Sequence, residues 1–153
     1  MNLLLDTNII LWICRDLSEK RVIDYINPEK KLIYISIVSL GEIKSIAFQQ
    51  DWADKKLGRL EEFVDTSRIL DFNESVIPSY VTIDAYSQRK HKEFSKYPFK
   101  TPRNMGKNDL WIAATAHFIN LELVTTDTDF DHLDNIYNSI RKVSIYDLKK
   151  LIK

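Results

Sequence analysis

Short apolar runs alternate with longer stretches of helical spacing along the whole chain. Leu3-Leu4-Leu5 and Leu32-Ile33-Tyr34-Ile35 are continuous apolar runs, and Ile69-Leu70, Leu121 to Val124 and Val143 to Ile145 are shorter or weaker ones; all five predict strands. Between them Ser18 to Ile26, Ile37 to Phe48, Asp51 to Val64, Glu74 to Phe94 and Asn108 to Ile119 carry helical spacing. Strands that are apolar on both faces and separated by helices require a parallel sheet covered on both sides. The expected fold is therefore α/β, a three-layer sandwich with a short, mostly parallel central sheet. In such sheets ligands gather beyond the carboxyl ends of the strands, where the strand order reverses. Pro78 removes a backbone donor, so it fits the helical pattern only in a first turn or at a kink.

The 153 residues suit one domain spanning 1–153, and no repeat, low-complexity tract or Pro/Gly/Ser linker divides them. With 44% hydrophobic and 29% charged residues the balance is that of a globular chain and not of a disordered one. The longest apolar run, Ile9 to Cys14, is far short of the ~20 residues a membrane span needs. Asp6 breaks the first apolar stretch and no basic leader precedes it, so no secretory signal is read and the cytoplasm is the expected compartment, with no membrane partner. A lone Cys14 builds neither an internal disulfide nor a thiolate metal site. The 3 glycines form no dinucleotide or P-loop phosphate cradle. The formal net charge is 0, so any attraction to nucleic acid must be local.

The acids are more informative. Asp6 follows Leu3-Leu4-Leu5, and Asp127 follows Leu121 to Val124 by way of Thr125 and Thr126, so two carboxylates stand at strand ends. Taken singly each is an ordinary cap or turn residue. Glu42 shares an apolar helix face with Val38 and Ile46, and a carboxylate there needs a cation, a metal or a cleft. Asp109 stands below Ile112, Ala113 and Ala116, behind Asn108 as a helix cap. A doubly wound sheet can bring all four to one edge. Two unit charges 4 Å apart repel by roughly 4 kcal/mol at an effective dielectric near 20, so convergence demands a neutralising ion. Hard divalent ions with oxygen ligands meet that demand, Mg²⁺ above all. His91, His117 and His132 are scattered without ligand spacing and read as structural or solvated.

Leu3-Leu4-Leu5-Asp6-Thr7-Asn8, Ser39-Leu40-Gly41-Glu42-Ile43, Asn108-Asp109-Leu110-Trp111-Ile112-Ala113-Ala114-Thr115-Ala116 and Leu123-Val124-Thr125-Thr126-Asp127-Thr128-Asp129-Phe130 together resemble the four acidic motifs of PIN-domain ribonucleases, the VapC-type toxins in particular. The resemblance implies a PIN-like fold and a metal-dependent endoribonuclease in which Asp6, Glu42, Asp109 and Asp127 bind one or two Mg²⁺ ions, or Mn²⁺. Asp129 is the alternative to Asp127 or its companion. Thr7, Asn8 and Thr125 would be hydrogen-bonding support. The implied substrate is structured RNA such as tRNA or rRNA, and the implied partner is a small antitoxin protein that holds the toxin inactive. A divalent ion acidifies water and stabilises charge on the attacking and leaving oxygens. In-line attack of this kind leaves a 5′-phosphate and a 3′-hydroxyl. The sequence offers no serine elbow or Cys-His pair for covalent catalysis.

From Arg89 to Lys107 seven basic residues, at 89, 90, 92, 96, 100, 103 and 107, face the single acid Glu93. Tyr97 and Phe99 are interleaved with them, a pattern expected of single-stranded RNA contacts, with anchoring of a solvated loop as the plainer reading. Arg103 and Lys107 are the foremost RNA-binding candidates and Lys44 a weaker one. Ile9 to Ile13 is apolar on every side, more than one buried stripe needs, so part of it is an interface candidate beside the plainer reading of core packing; Trp52 and Phe63 would extend a groove for an antitoxin helix or for a second copy of the chain in a homodimer. Two other classes compete: a non-catalytic PIN-like RNA-binding or scaffold protein, against which the four intact acids argue, and an aspartyl phosphotransfer domain, disfavoured because Asn8 stands where that chemistry needs a second acid.

Overall fold

A computed structural model describes residues 1–17, 20–71 and 73–152. Five strands form one sheet: β1 (Leu3–Leu5), β2 (Ile33–Ser36), β3 (Arg68–Leu70), β4 (Glu122–Thr125) and β5 (Ser139–Lys142). Every pairing is parallel and the order is β3-β2-β1-β4-β5, so the first strand lies in the middle. The order reverses between β1 and β4, where Leu5 stands beside Val124. The helices among the described residues are α1 (Thr7–Arg15), α2 (Arg21–Ile26), α3 (Ile37–Gln49), α4 (Asp54–Asp65), α5 (Ile77–Ser87), α6 (Lys107–Phe118) and α7 (Ile145–Leu151).

The three layers follow from the two-residue period of the strands. Leu3 and Leu5 point into a core shared with α1, α2, α3, α4 and α7, while Leu4 points into the opposite core under α5 and α6. Val124 and Leu123 divide between the same two cores. Each fully buried leucine contributes about 1.5–3 kcal/mol relative to exposure, and β1 has three in a row. This is the α/β sandwich expected from the sequence, with a wholly parallel sheet.

Several boundaries differ from the sequence reading. Val143 to Ile145 is not a strand: β5 lies earlier, and Ile145 opens α7 with Ser144 before it. The missed strand carries Arg141 and Lys142 because it is a sheet edge, where charge is tolerated and discourages further pairing. The fourth helix begins at Asp54 and not Asp51, since Asp51 turns the chain with a φ of 49°. The fifth ends at Ser87, short of Phe94, because Arg89 adopts a φ of 58°. Pro78 sits in the first turn of α5, where its missing donor costs nothing. Gly106, not Asn108, is the cap of α6. The predicted helix from Ser18 begins at Arg21 among the described residues; Ser18 and Glu19 lie outside them.

Core packing, the plainer of the two readings, holds for most of Ile9 to Ile13, with Leu11 alone half-buried. Ile9, Ile10 and Ile13 have no exposed surface and Trp12 is buried, because α1 is packed against β4, α3 and α4 at once. The exposed side of α1 is the narrow stripe of Asn8, half-buried Leu11 and Arg15, so the rest of the helix after Thr7 is apolar because it is enclosed. No helix among the described residues is long and apolar enough to cross a membrane.

Candidate metal centre

Asp6 leaves the end of β1 and caps α1, its Oδ1 accepting from the Thr7 N–H at 2.7 Å. Its Oδ2 accepts from the Thr125 hydroxyl at 2.8 Å, a bond that crosses from β1 to its neighbour β4. The same Thr125 oxygen accepts from the Asp127 N–H at 2.9 Å, so one buried hydroxyl sets both strand-end acids. Glu42 reaches the group from α3, where its Oε1 accepts from the Thr7 hydroxyl at 3.0 Å. Ser36, which sequence reading passed over, caps that helix by accepting from the Val38 N–H.

Asp109 enters from the first turn of α6. One carboxylate oxygen of Asp109, one of Asp127 and one of Asp129 lie within 4.8 Å of one another. Asp127 Oδ1 accepts from the Asp129 N–H at 2.9 Å, which turns the short 3₁₀ segment Thr128–Leu133 so that both acids face the same space. Asp127 and Asp129 are therefore brought together as a pair beside Asp109, and the choice between them posed by the sequence does not arise in the geometry.

The electrostatics show how close the group is. Burial pushes the Asp6 carboxyl up to about 6, against the lowering effect of its bonds from Thr125 and Thr7, and the charges of Asp127 and Glu42 raise it further. Asp109 is pushed up to about 7, first by burial and then by the charges of Asp6, Asp127, Glu42 and Asp129. No described Lys, Arg or His forms an ion pair with any of the five. Three acids with oxygens within 4.8 Å of one another, and two more whose charges reach Asp109, suit a hard divalent ion when no described cation pairs with them, and the donor set contains no thiolate or imidazole that would favour a softer one.

The remaining candidates divide. Thr7 and Thr125 hold acids as described, whereas Asn8 is exposed on α1 and makes no side-chain hydrogen bond to any described residue. Lys107 opens α6 two residues before Asp109, and Arg103 is near enough to help depress the His132 pKa. Lys44 is not brought to the acids: two residues after Glu42, it points about 200° away around α3 and lines a groove against α4. Trp52 lines that groove too, while Phe63 is buried beneath it.

His132 takes the structural role read for it, with Ser87 as a partner that the sequence did not signal. The Ser87 hydroxyl and His132 Nε2 lie 2.7 Å apart in the interior, tying the end of α5 to the 3₁₀ segment that carries Asp129. Burial, then the Arg103 charge, pushes His132 down to about 4, so it is neutral near pH 7. No spacing in the sequence signals a pair 45 residues apart.

Residues 3–136 match the family model of the PIN domain. The chain belongs to the PIN-domain family. Among solved structures it is similar to VapBC2 from Rickettsia felis bound to a promoter DNA fragment, with a TM-score of 0.70 and 21% identity over 92% of this chain and 98% of that one. It is similar to FitAcB from Neisseria gonorrhoeae, with a TM-score of 0.61 and 27% identity over 90% and 95%. A toxin–antitoxin complex from Klebsiella pneumoniae gives a TM-score of 0.61 and 20% identity over 94% and 100%. No curated protein matches the chain in sequence. The PIN match ends at residue 136, within the loop that precedes the edge strand β5.

Proposed function

We propose that this PIN-domain protein is a metal-dependent endoribonuclease that hydrolyses phosphodiester bonds of structured RNA such as tRNA or rRNA, and that it is the VapC-type toxin of a toxin–antitoxin pair. The observation that carries the reading is the convergence of Asp109, Asp127 and Asp129 within 4.8 Å, with Asp6 and Glu42 acting on the same cleft. Asp6, Glu42, Asp109 and Asp127, joined by Asp129, would hold one or two Mg²⁺ or Mn²⁺ ions. When bound, such an ion lowers the pKa of water and offsets the charge that builds on phosphoryl oxygens.

The chain's own part is positioning. Thr125 and Thr7 fix the carboxylates of Asp6 and Glu42, so that their oxygens need no reorganisation as charge develops in the cleft. Burial first, and the neighbouring acidic charges after it, raise the pKa values of Asp6 and Asp109; a bound cation offsets both, which favours its capture over an ion-free, scaffold-only role. Arg103 and Lys107, on the rim leading into α6, would draw the RNA backbone toward an otherwise repulsive centre.

The implied protein partners are a small antitoxin and a second copy of the chain. Structural neighbours that include a toxin–antitoxin complex support the first. The α3–α4 groove, about 650 Å³ and lined by Lys44, Ala47, Phe48, Trp52, Leu57 and Val64, suits an amphipathic helix, and Phe48 on its rim is 88% exposed.

The test is RNA cleavage by the parent protein with Mg²⁺, with EDTA, and by Asp6→Asn repurified to the same standard. The expected result is cleavage only in the first case, giving 5′-phosphate and 3′-hydroxyl ends. Equal cleavage by Asp6→Asn would overturn the assignment.

A further inference from the structure

The long connection between α5 and α6, residues 88–106, separates its two kinds of side chain. Arg89, Lys90, Lys92, Lys96, Lys100 and Arg103, with Lys107 at its end, are all exposed, and none forms an ion pair with a described residue. Phe94 and Tyr97 are half-buried and Phe99 is buried, packed with Tyr86, Tyr137 and His132 in one aromatic cluster. The interleaving seen in the sequence therefore does not present stacking platforms for bases. Two of the rings are also covered: the Arg89 guanidinium stands 5.4 Å from the Tyr97 ring centre and that of Arg103 stands 5.7 Å from Phe99.

The segment is held in place despite its length. The Lys90 N–H donates to Ala85 O, the Arg103 N–H donates to Ser87 O at 2.7 Å, and the Tyr97 hydroxyl both accepts from the His91 N–H and donates to the His91 carbonyl. Ser87 is itself fixed to His132. Cations on an anchored scaffold, with the aromatics turned inward, match the phosphates of a folded backbone and not the bases of a flexible strand.

We propose that residues 88–107 form a preorganised arm that grips the ribose-phosphate backbone of double-stranded or folded RNA by charge alone, feeding it to the acidic cleft beside Lys107. This inference rests on the RNA-cleaving reading for the identity of the polyanion. Its ligand is backbone phosphate, recognised by exposed Lys and Arg, with no base-stacking contribution from Tyr97 or Phe99.

The experiment measures binding in EDTA, so that cleavage plays no part. Fluorescence anisotropy compares a hairpin RNA with a long stem, an oligouridine of equal length and a polyglutamate of equal charge, from about 50 to 200 mM salt. The parent should bind the hairpin at least tenfold tighter than either competitor. Lys92→Ala/Lys96→Ala/Lys100→Ala, all at exposed positions, should reduce the salt slope by roughly 2–3 and weaken hairpin binding about tenfold or more. Oligouridine binding as tight as the hairpin, polyglutamate binding as tight and as dependent on the three lysines, or an unchanged slope in the triple variant would each overturn the arm. Failure of the nuclease reading shows instead as absent cleavage with Mg²⁺ while hairpin binding persists.

Discussion

The Thr125 hydroxyl donates to Asp6 Oδ2 at 2.8 Å across two neighbouring strands, and it accepts from the Asp127 N–H at the same time. A single side chain thus sets the two acids at the point where the strand order reverses. Thr125→Val keeps the shape and removes the donor, so the Asp6 pKa should rise further and cation binding should weaken. A lost hydrogen bond to a charged group corresponds to about 1.5–3 kcal/mol, or roughly tenfold to a hundredfold in affinity. Mn²⁺ titration by calorimetry measures this. Parent-like affinity in a folded Thr125→Val would show that the relay does not support the site.

The ion-free protein should lose stability at this site as pH rises. The folded-state pKa of Asp6 is raised to about 6 from an ordinary 3.8, so the folded form holds its proton more tightly than the unfolded form. Its contribution is full below about pH 4 and is lost as pH climbs through 6, by about 3 kcal/mol. Asp109 acts in the same direction up to about 7. Asp6→Asn should therefore melt higher than the parent at pH 8 in EDTA, with the gap closing near pH 4. Thermal melts across that range decide it, and a gap that widens toward acid contradicts the burial argument.

His132 works in the opposite window. Its folded pKa is depressed to about 4, so its stabilising effect is present above the ordinary value near 6.5 and is lost as pH falls from there toward 4. His132→Phe should lower stability at neutral pH, through loss of the Ser87 contact, and should flatten the acid limb of the curve. Urea midpoints at several pH values between 4 and 7 provide the check; an equally steep acid limb in the variant would count against it.

A divalent ion should restore what the acids lose to repulsion. At a concentration 100 times its dissociation constant, an ion bound only by the folded state adds about 2.7 kcal/mol. Mg²⁺ or Mn²⁺ should raise the parent's melting temperature reversibly, with EDTA returning it. Asp109→Asn and Asp127→Asn should each abolish most of that rise. Asp129→Asn, altering the exposed member of the trio, should have the smaller effect. A rise undiminished in Asp109→Asn would mean that the ion binds elsewhere.

Ile13 is fully enclosed in the core under α1, α3 and α4. Ile13→Ala should cost about 2–5 kcal/mol, as a transfer loss plus a cavity. Denaturant unfolding measures it, and a cost below 1 kcal/mol would show that α1 tolerates a void the packing does not suggest.

What the sequence disclosed depended on how local the physics was. Leu3-Leu4-Leu5 followed by Asp6 announces a doubly buried strand with an acid at its end, and both properties hold in the fold. Glu42 betrayed itself by sharing a face with Val38 and Ile46. The edge strand Ser139–Lys142 did not, because its charges mask a strand that has only one neighbour. The direction of Tyr97 and Phe99 was equally hidden: interleaved cations and rings have the same spelling whether the rings face solvent or interior. Lys44 was separated from Glu42 by helical rotation, and the Ser87–His132 contact by 45 residues of chain.

The placement of β1 at the centre of the sheet has a consequence for how the molecule comes into being. Asp6 and Thr125, the residue that holds it, are separated by 119 positions of chain. A nascent chain emerging from the ribosome carries the first acid long before its companions exist. The full set can meet only after Asp127 and Asp129 have been extruded, so translation products that stop short of them lack the assembled acidic group.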